Sequence, residues 1–169
     1  MGLFTALGYL KREGMKVKLD TNGSSPATLR GLVHEGLIDY IAMDIKGPLD
    51  RYSKWCGTDV DRNSIEESIR FIMENGLDYE FRMTVVPQFH TEEDVYAVAE
   101  YLRAADRFYL QEFRPRKCID PSFLSIEPFS KDTFERLNNS ITQIRVTGIK
   151  PEERTLKFRE KKAKIKEGC

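Results

Sequence analysis

Residues 38–48 read IDYIAMDIKGP, a short apolar run that Gly47-Pro48 brings to a stop. The run from Ile38 to Ile45 reads as a strand with apolar groups on both faces, as a strand covered on both sides has. Asp44 and Lys46 stand two apart, so on an extended chain they share one side. Outward from this stretch the same layout recurs in VKLDTN (17–22), FRMTVVP (81–87) and YLQEFRP (109–115). Each run ends in polar residues: Asp20, Thr21 and Asn22, then Asp44 and Lys46, then Arg82, then Gln111 and Arg114.

Between these runs the apolar period changes from two to about 3.6, the helical value. Leu3, Ala6, Leu7 and Leu10 form a stripe over 3–13, with Gly14 as its stop. Ser25 and Pro26 mark a second helix start, and Gly36 its end. Ser64 with Glu67 fits a capping box ahead of Ile65, Ile69, Ile72 and Met73. Thr91 opens a helix bearing Val95, Val98, Ala99 and Leu102. A last helix is expected from Ser130 to about Asn139, and a last strand over 141–146. The segments 47–62 and 115–129 read as loops.

Strand–helix alternation predicts an α/β fold with a parallel sheet. Right-handed crossovers then allow an open doubly wound sheet or part of a (β/α) barrel. Either way, ligands lie at the carboxyl ends of the strands, so the polar ends above are expected to line one site. The domain is expected over 1–150, with a charged, solvated tail over 151–169.

Lys+Arg and Asp+Glu both number 27, so no global basic field exists to attract nucleic acid. No apolar run reaches the roughly 20 residues of a membrane helix, and the start lacks a signal-peptide layout. The expected location is the cytoplasm. The three cysteines, Cys56, Cys118 and Cys169, lack close metal-ligand spacing and read as free thiols. His34 and His90 are read as surface residues, and Trp55 as loop packing.

A carboxylate and an ammonium on one side of a buried strand must be paired or solvated, and Arg82 within FRMTVV also needs an anion. Gln111 and Arg114 add donors suited to a carboxylate or a nucleotide. Asp20-Thr21-Asn22-Gly23 offers acceptors for a ribose, an ammonium group or a cation, and equally the residues of a plain turn.

Four words, KVKLDTNGS, IDYIAMDIKGP, YEFRMTVVP and YLQEFRP, together resemble radical S-adenosylmethionine proteins. The nearest groups are the activating enzymes of pyruvate formate-lyase and of anaerobic ribonucleotide reductase. The resemblance implies a partial (β/α) barrel with the cofactor across the strand ends. It implies that Asp20, Asn22, Asp44, Lys46, Arg82, Gln111 and Arg114 bind S-adenosylmethionine. It further implies a monovalent cation beside the cofactor, at Asp20, Thr21 and Asp44. The implied partner is a glycyl-radical enzyme or another protein substrate.

The family also carries Cys-x-x-x-Cys-x-x-Cys after its first strand, where three thiolates hold a 4Fe-4S cluster, and a Gly-Gly-Glu-Pro segment after its second. Neither is present here. The resemblance thus implies an N-terminally truncated domain with no catalytic residue of its own, binding cofactor and partner but not the cluster. The cluster would need the missing N-terminal segment. The strand at 15–21 is then an exposed edge through which the chain oligomerises. The alternative is a cluster-free, non-catalytic half-barrel that serves as a binding or scaffold module. Asp44-Ile45-Lys46 also resembles part of the Asp-x-Lys-x-x-Asp of orotidine-phosphate decarboxylases, but Leu49 stands where the second Asp belongs.

Overall fold

The computed structural model describes residues 2–116, 118 and 120–147. Its elements are α1 (Leu3–Arg12), β1 (Lys18–Thr21), α2 (Pro26–His34), β2 (Tyr40–Asp44), α3 (Tyr52–Cys56), α4 (Arg62–Glu74), β3 (Asp78–Val85), α5 (Glu92–Tyr101), β4 (Phe108–Glu112) and α6 (Lys131–Thr147). Short 3-10 turns lie at Leu49–Arg51 and Pro121–Ser125. The four strands form one parallel sheet in the order β1-β2-β3-β4.

That order chooses between the two layouts left open by periodicity. When right-handed crossovers all step in one direction, every connecting helix falls on the same face. The core shows this. Ile41, Met43, Phe81, Met83 and Phe108 pack with Leu29 and Leu32 of α2, Ile65, Ile69 and Ile72 of α4, Val95 and Val98 of α5, and Leu137 and Ile141 of α6. The sheet is therefore singly wound, which excludes the doubly wound form and is consistent with part of a (β/α) barrel.

β2 departs from its expected double cover. Ile41, Met43 and Ile45 are buried beneath the helices. Its other face presents Tyr40, Ala42, Asp44 and then Lys46, aligned with Lys18 and Asp20 of β1 and Glu80 and Arg82 of β3. Thr84 and Gln111 continue this face across β3 and β4. Alternation along β3 is strict, buried at Tyr79, Phe81, Met83 and Val85 and open between them.

Three local expectations are corrected. The segment 141–146 is not a strand, because α6 runs unbroken through it. Leu137, Ile141 and Ile144 recur at spacings of four and three and keep one stripe on the core. The cap of α4 is Asp61, not Ser64: its carboxylate accepts the Asn63 amide at 3.0 Å and the Ser64 hydroxyl at 2.8 Å. The loop 47–62 contains a 3-10 turn and α3. The α5 start does follow the sequence, with a reciprocal box between Thr91 and Asp94. The charged tail of 151–169 lies outside the described residues.

β1 is the sheet edge within the described residues. Its neighbour α1 buries no residue fully, and Leu3, Phe4 and Tyr9 are exposed. Leu7 and Leu10 rest on the core, and the Phe4 ring lies against Gly31, where an added Cβ would come within 3.0 Å of it. The remaining tie is polar. Asp39 accepts Lys11 at 2.7 Å, Lys16 at 3.0 Å and the Val17 amide at 2.8 Å. Burial pushes the Asp39 carboxyl up, but Lys11, the Val17 amide and Lys16 outweigh it and hold it at about 2, against an ordinary 3.8.

A folded-state value below the unfolded one adds stability above the unfolded pKa and loses it as pH falls through the folded one. Asp39→Ala is expected to lower unfolding stability by about 1–3 kcal/mol at pH 7, the scale of charge-assisted bonds. The deficit should shrink as pH drops from about 4 toward 2. Urea titrations across that range check both statements, and an equal deficit at low and neutral pH contradicts them.

Candidate functional site

The uncovered sheet face carries a continuous polar network at its strand ends. Its centre is Arg82 of β3. The guanidinium places Nη2 2.7 Å from Asp20 Oδ1 and 2.9 Å from Asp44 Oδ1. Nε donates to Asp44 Oδ1 at 3.0 Å, and Nη1 lies 3.8 Å from Glu80 Oε1. Burial pushes the Arg82 pKa down, but Asp44 and Asp20 outweigh it and raise it above the usual arginine value.

Register explains the meeting. Asp44 is directly opposite Arg82, and Asp20 sits on the next strand across Ala42. Ala42 is fully buried between these long side chains, so the smallest residue of the face makes room for the guanidinium. Lys46 continues past the β2 end and reaches Asp44 at 3.4 Å, with its side chain 45% exposed. Among the described residues its ammonium makes one long contact, to Asp44, and the side chain is half exposed.

A second group lies toward the amino ends of the strands. Glu80 accepts Lys18 Nζ at 2.9 Å and the Tyr40 hydroxyl at 2.9 Å. Burial pushes Glu80 up, yet these two bonds outweigh it and hold its carboxyl below the usual value. Burial and the bond to Glu80 raise the Tyr40 hydroxyl. Lys18 and Arg107 also lie 5.3 Å and 6.0 Å from the Tyr40 ring. Cation–π attraction adds to the ordering of this end.

The structure brings Asp20, Asp44, Lys46 and Arg82 together, while the remaining candidates sit further out. Thr21 pairs with Met43 on the helix-facing side, and its hydroxyl accepts the Gly23 amide at 3.1 Å. Asn22 caps its own turn, accepting the Ser24 amide at 3.0 Å and the Ser24 hydroxyl at 2.8 Å. Gln111 shares the polar face and meets Thr84 Oγ1 at 3.3 Å. Arg114 lies beyond β4, with its side chain 73% exposed and Glu112 at 3.8 Å.

The glycine after β1 permits the site to close. Gly23 has φ of +76°, and a Cβ there would meet the Met43 methyl at 2.0 Å. Its carbonyl accepts the buried Ser68 hydroxyl at 2.7 Å, which binds the turn to α4.

Three residues hold the β2 end: Tyr52, which the sequence reading did not single out, His90 and Trp55. Tyr52 is 3% exposed; its hydroxyl accepts the Lys46 amide at 3.1 Å and donates to the Asp44 carbonyl at 3.5 Å. Burial pushes that hydroxyl up to about 12. His90 is not a surface residue. It is 8% exposed, stacked on Trp55 at 4.5 Å, and bonded to backbone groups of Lys46 and Val86, just past the ends of β2 and β3. Trp55 fits because residue 47 is glycine, where a Cβ would come within 2.4 Å of the indole. The signal was the Tyr-x-x-Trp spacing of a short helix directly after the Gly-Pro stop, which places both rings over the strand end.

Among the described residues no group of three or more His, Cys, Asp or Glu is arranged to hold a metal ion. Cys56 and Cys118 are free and partly buried. Burial raises the Cys56 thiol. No described helix is long and apolar enough to cross a membrane. A cleft of about 200 Å3 lined by Ile45, Leu49, Ile69, Val98 and Tyr101 lies on the helix side of the sheet, away from the polar network.

No family model matches the chain. The chain is 34% identical over 128 residues to a protein of Methanocaldococcus jannaschii named "Putative glycyl-radical enzyme activating enzyme". The match covers 73% of this chain and 53% of that protein, so the chain spans about half the length of this curated relative. The relative's name falls in the group of activating proteins that the four strand-end words resemble.

Arg82→Met removes the cation that Asp20, Asp44 and Glu80 share. The expected loss is about 2–4 kcal/mol at neutral pH, the scale for stranding partly buried charges. Chemical denaturation of both proteins at pH 7.5 tests this, and a deficit under about 1 kcal/mol contradicts it.

Proposed function

We propose that this chain is the cofactor- and partner-binding portion of a radical S-adenosylmethionine protein of the glycyl-radical activating type. The observation that carries this reading is the uncovered polar sheet face, with Asp20, Asp44, Lys46 and Arg82 in contact at adjacent strand ends. The likeness to the Methanocaldococcus jannaschii protein supports the same class.

The donor set suits S-adenosylmethionine. Lys46 offers a half-exposed ammonium to a carboxylate. Asp20, with 58% of its side chain exposed, offers an acceptor to an ammonium group or ribose hydroxyls. Arg82 spends Nε and Nη2 on Asp44 and Asp20, and Nη1 lies 3.8 Å from Glu80, so its part is to fix the carboxylates that meet a ligand. Gln111, Arg114 and Asn22 complete the rim. A monovalent cation at Asp20 and Asp44 would share both carboxylates with Arg82, while Thr21, whose hydroxyl faces the helix side, would contribute no side-chain ligand. The cofactor, when bound, supplies a cleavable carbon–sulfur bond as the radical source. The described residues contain no ligand set for a 4Fe-4S cluster, so no reaction step is assigned to this chain. The accepting partner in this reading is a glycyl-radical enzyme, and the setting is cytoplasmic.

Calorimetric titration of S-adenosylmethionine tests the reading. Binding should weaken about 10- to 100-fold in Lys46→Ala, the effect of one lost charge-assisted contact. No heat at millimolar cofactor, with the wild-type chain folded, overturns it in favour of a scaffold module.

A further inference from the structure

The β2 end carries Lys46 on a backbone whose two polar groups are each held by a buried side chain. Tyr52 accepts the Lys46 amide at 3.1 Å, and His90 Nε2 lies 2.8 Å from the Lys46 carbonyl. The same ring reaches β3, because His90 Nδ1 lies 3.0 Å from the Val86 amide nitrogen. Neither backbone partner can reverse its role. An amide N–H only donates, so Nδ1 must be the bare acceptor. A carbonyl only accepts, so Nε2 must carry the proton. The geometry therefore defines one neutral tautomer.

The surroundings hold that ring in place. Trp55 stacks on it with planes 22° apart. The His90 amide returns to the Val86 carbonyl at 2.9 Å, so residues 86–90 are clasped at both ends by His90 itself. Within that loop Gln88 adopts φ of +70°, a conformation tolerated because the clasp fixes the chain around it. A second proton on Nδ1 would point an N–H at the Val86 N–H and break the clasp.

We propose that His90 is a positioning residue for Lys46, working as a neutral latch that ties the β2 end to the β3 end and opens when the imidazole is protonated. The regulation this gives the polar face rests on the cofactor-binding reading above. Desolvation lowers the His90 pKa from its ordinary 6.5, which agrees with a neutral ring. Charges reach the ring from each packed element. The Lys46 carbonyl on the β2 side and Asp94 of α5 favour protonation, and Lys54 of α3 opposes it. Arg51 holds Asp94 at 2.7 Å and blunts its effect. A depressed histidine pKa takes stability away as pH falls below 6.5 and through the folded value.

The first test needs no ligand. NMR on the 15N-labelled chain from pH 8 to 5 should show the Nε2–H tautomer at the upper end. The Lys46 and Val86 amide resonances should then shift together with ring protonation, below pH 6.5. An Nδ1–H tautomer, or ring titration that leaves both amides unmoved, overturns the latch. S-adenosylmethionine titration over the same range then uses His90→Gln, whose amide can still donate to the Lys46 carbonyl but cannot titrate. Wild-type affinity should fall at least tenfold between pH 7.5 and 5, while the Gln variant stays within threefold of its own pH 7.5 value. A Gln variant with the wild-type pH profile overturns the proposal. Coupled amide shifts without any cofactor binding keep the latch and overturn only the cofactor-binding reading.

Discussion

The Arg82 guanidinium, placed in the middle of a sheet face, sets the terms for much of the molecule. A charge there cannot sit under a layer of apolar helices without a large desolvation cost. It requires acceptors on its neighbours and one side left open. Asp44 and Asp20 provide the acceptors at under 3 Å. The one-sided stacking of the helices provides the opening. The fold and the site thus answer the same constraint: unidirectional crossovers leave a bare face, and the bare face is where the charged residues are stable.

That face is close to neutral at its centre. Asp20, Asp44 and Glu80 stand against Lys18, Lys46 and Arg82. A zwitterionic ligand suits such a surface, since it exchanges partners without leaving a surplus charge. Arg82 is the most committed of the cations and Lys46 the least. The balance also makes the network rigid on the β3 side and adjustable on the β2 side, which is why the backbone restraint of Lys46 by Tyr52 and His90 bears on ligand geometry.

Much of this was readable in the chain. The four strands announced themselves because each is an apolar run with a polar end. The reading of polar ends as one site rested on parallel direction; the structure gathers Asp20, Asp44, Lys46 and Arg82, while Thr21, Asn22, Gln111 and Arg114 lie apart. The doubly covered β2 was misread because Tyr40 and Ala42 look apolar in a list, while on the sheet they line the open face beside Asp20 and Glu80. The final strand was misread because Ile141, Ile144 and Val146 suggest β-propensity. The packing of Leu137, Ile141 and Ile144 on one stripe overrides it. Asp61 displaced Ser64 as a cap by a local competition that both sequences of residues permit. His90 was misread as a surface residue for a different reason: its hydrogen-bond partners are backbone groups, which leave no trace in residue type.

The weak seating of α1 has a consequence for how the molecule opens. It contributes no fully buried residue, while the sheet and the other helices share one contiguous core. Opening of such an element exposes little apolar area, so it costs far less than global unfolding. α1 is then the described element whose local opening costs least. Such an opening releases Asp39 from Lys11. The polar network around Arg82 is held between the strands and includes no residue of α1.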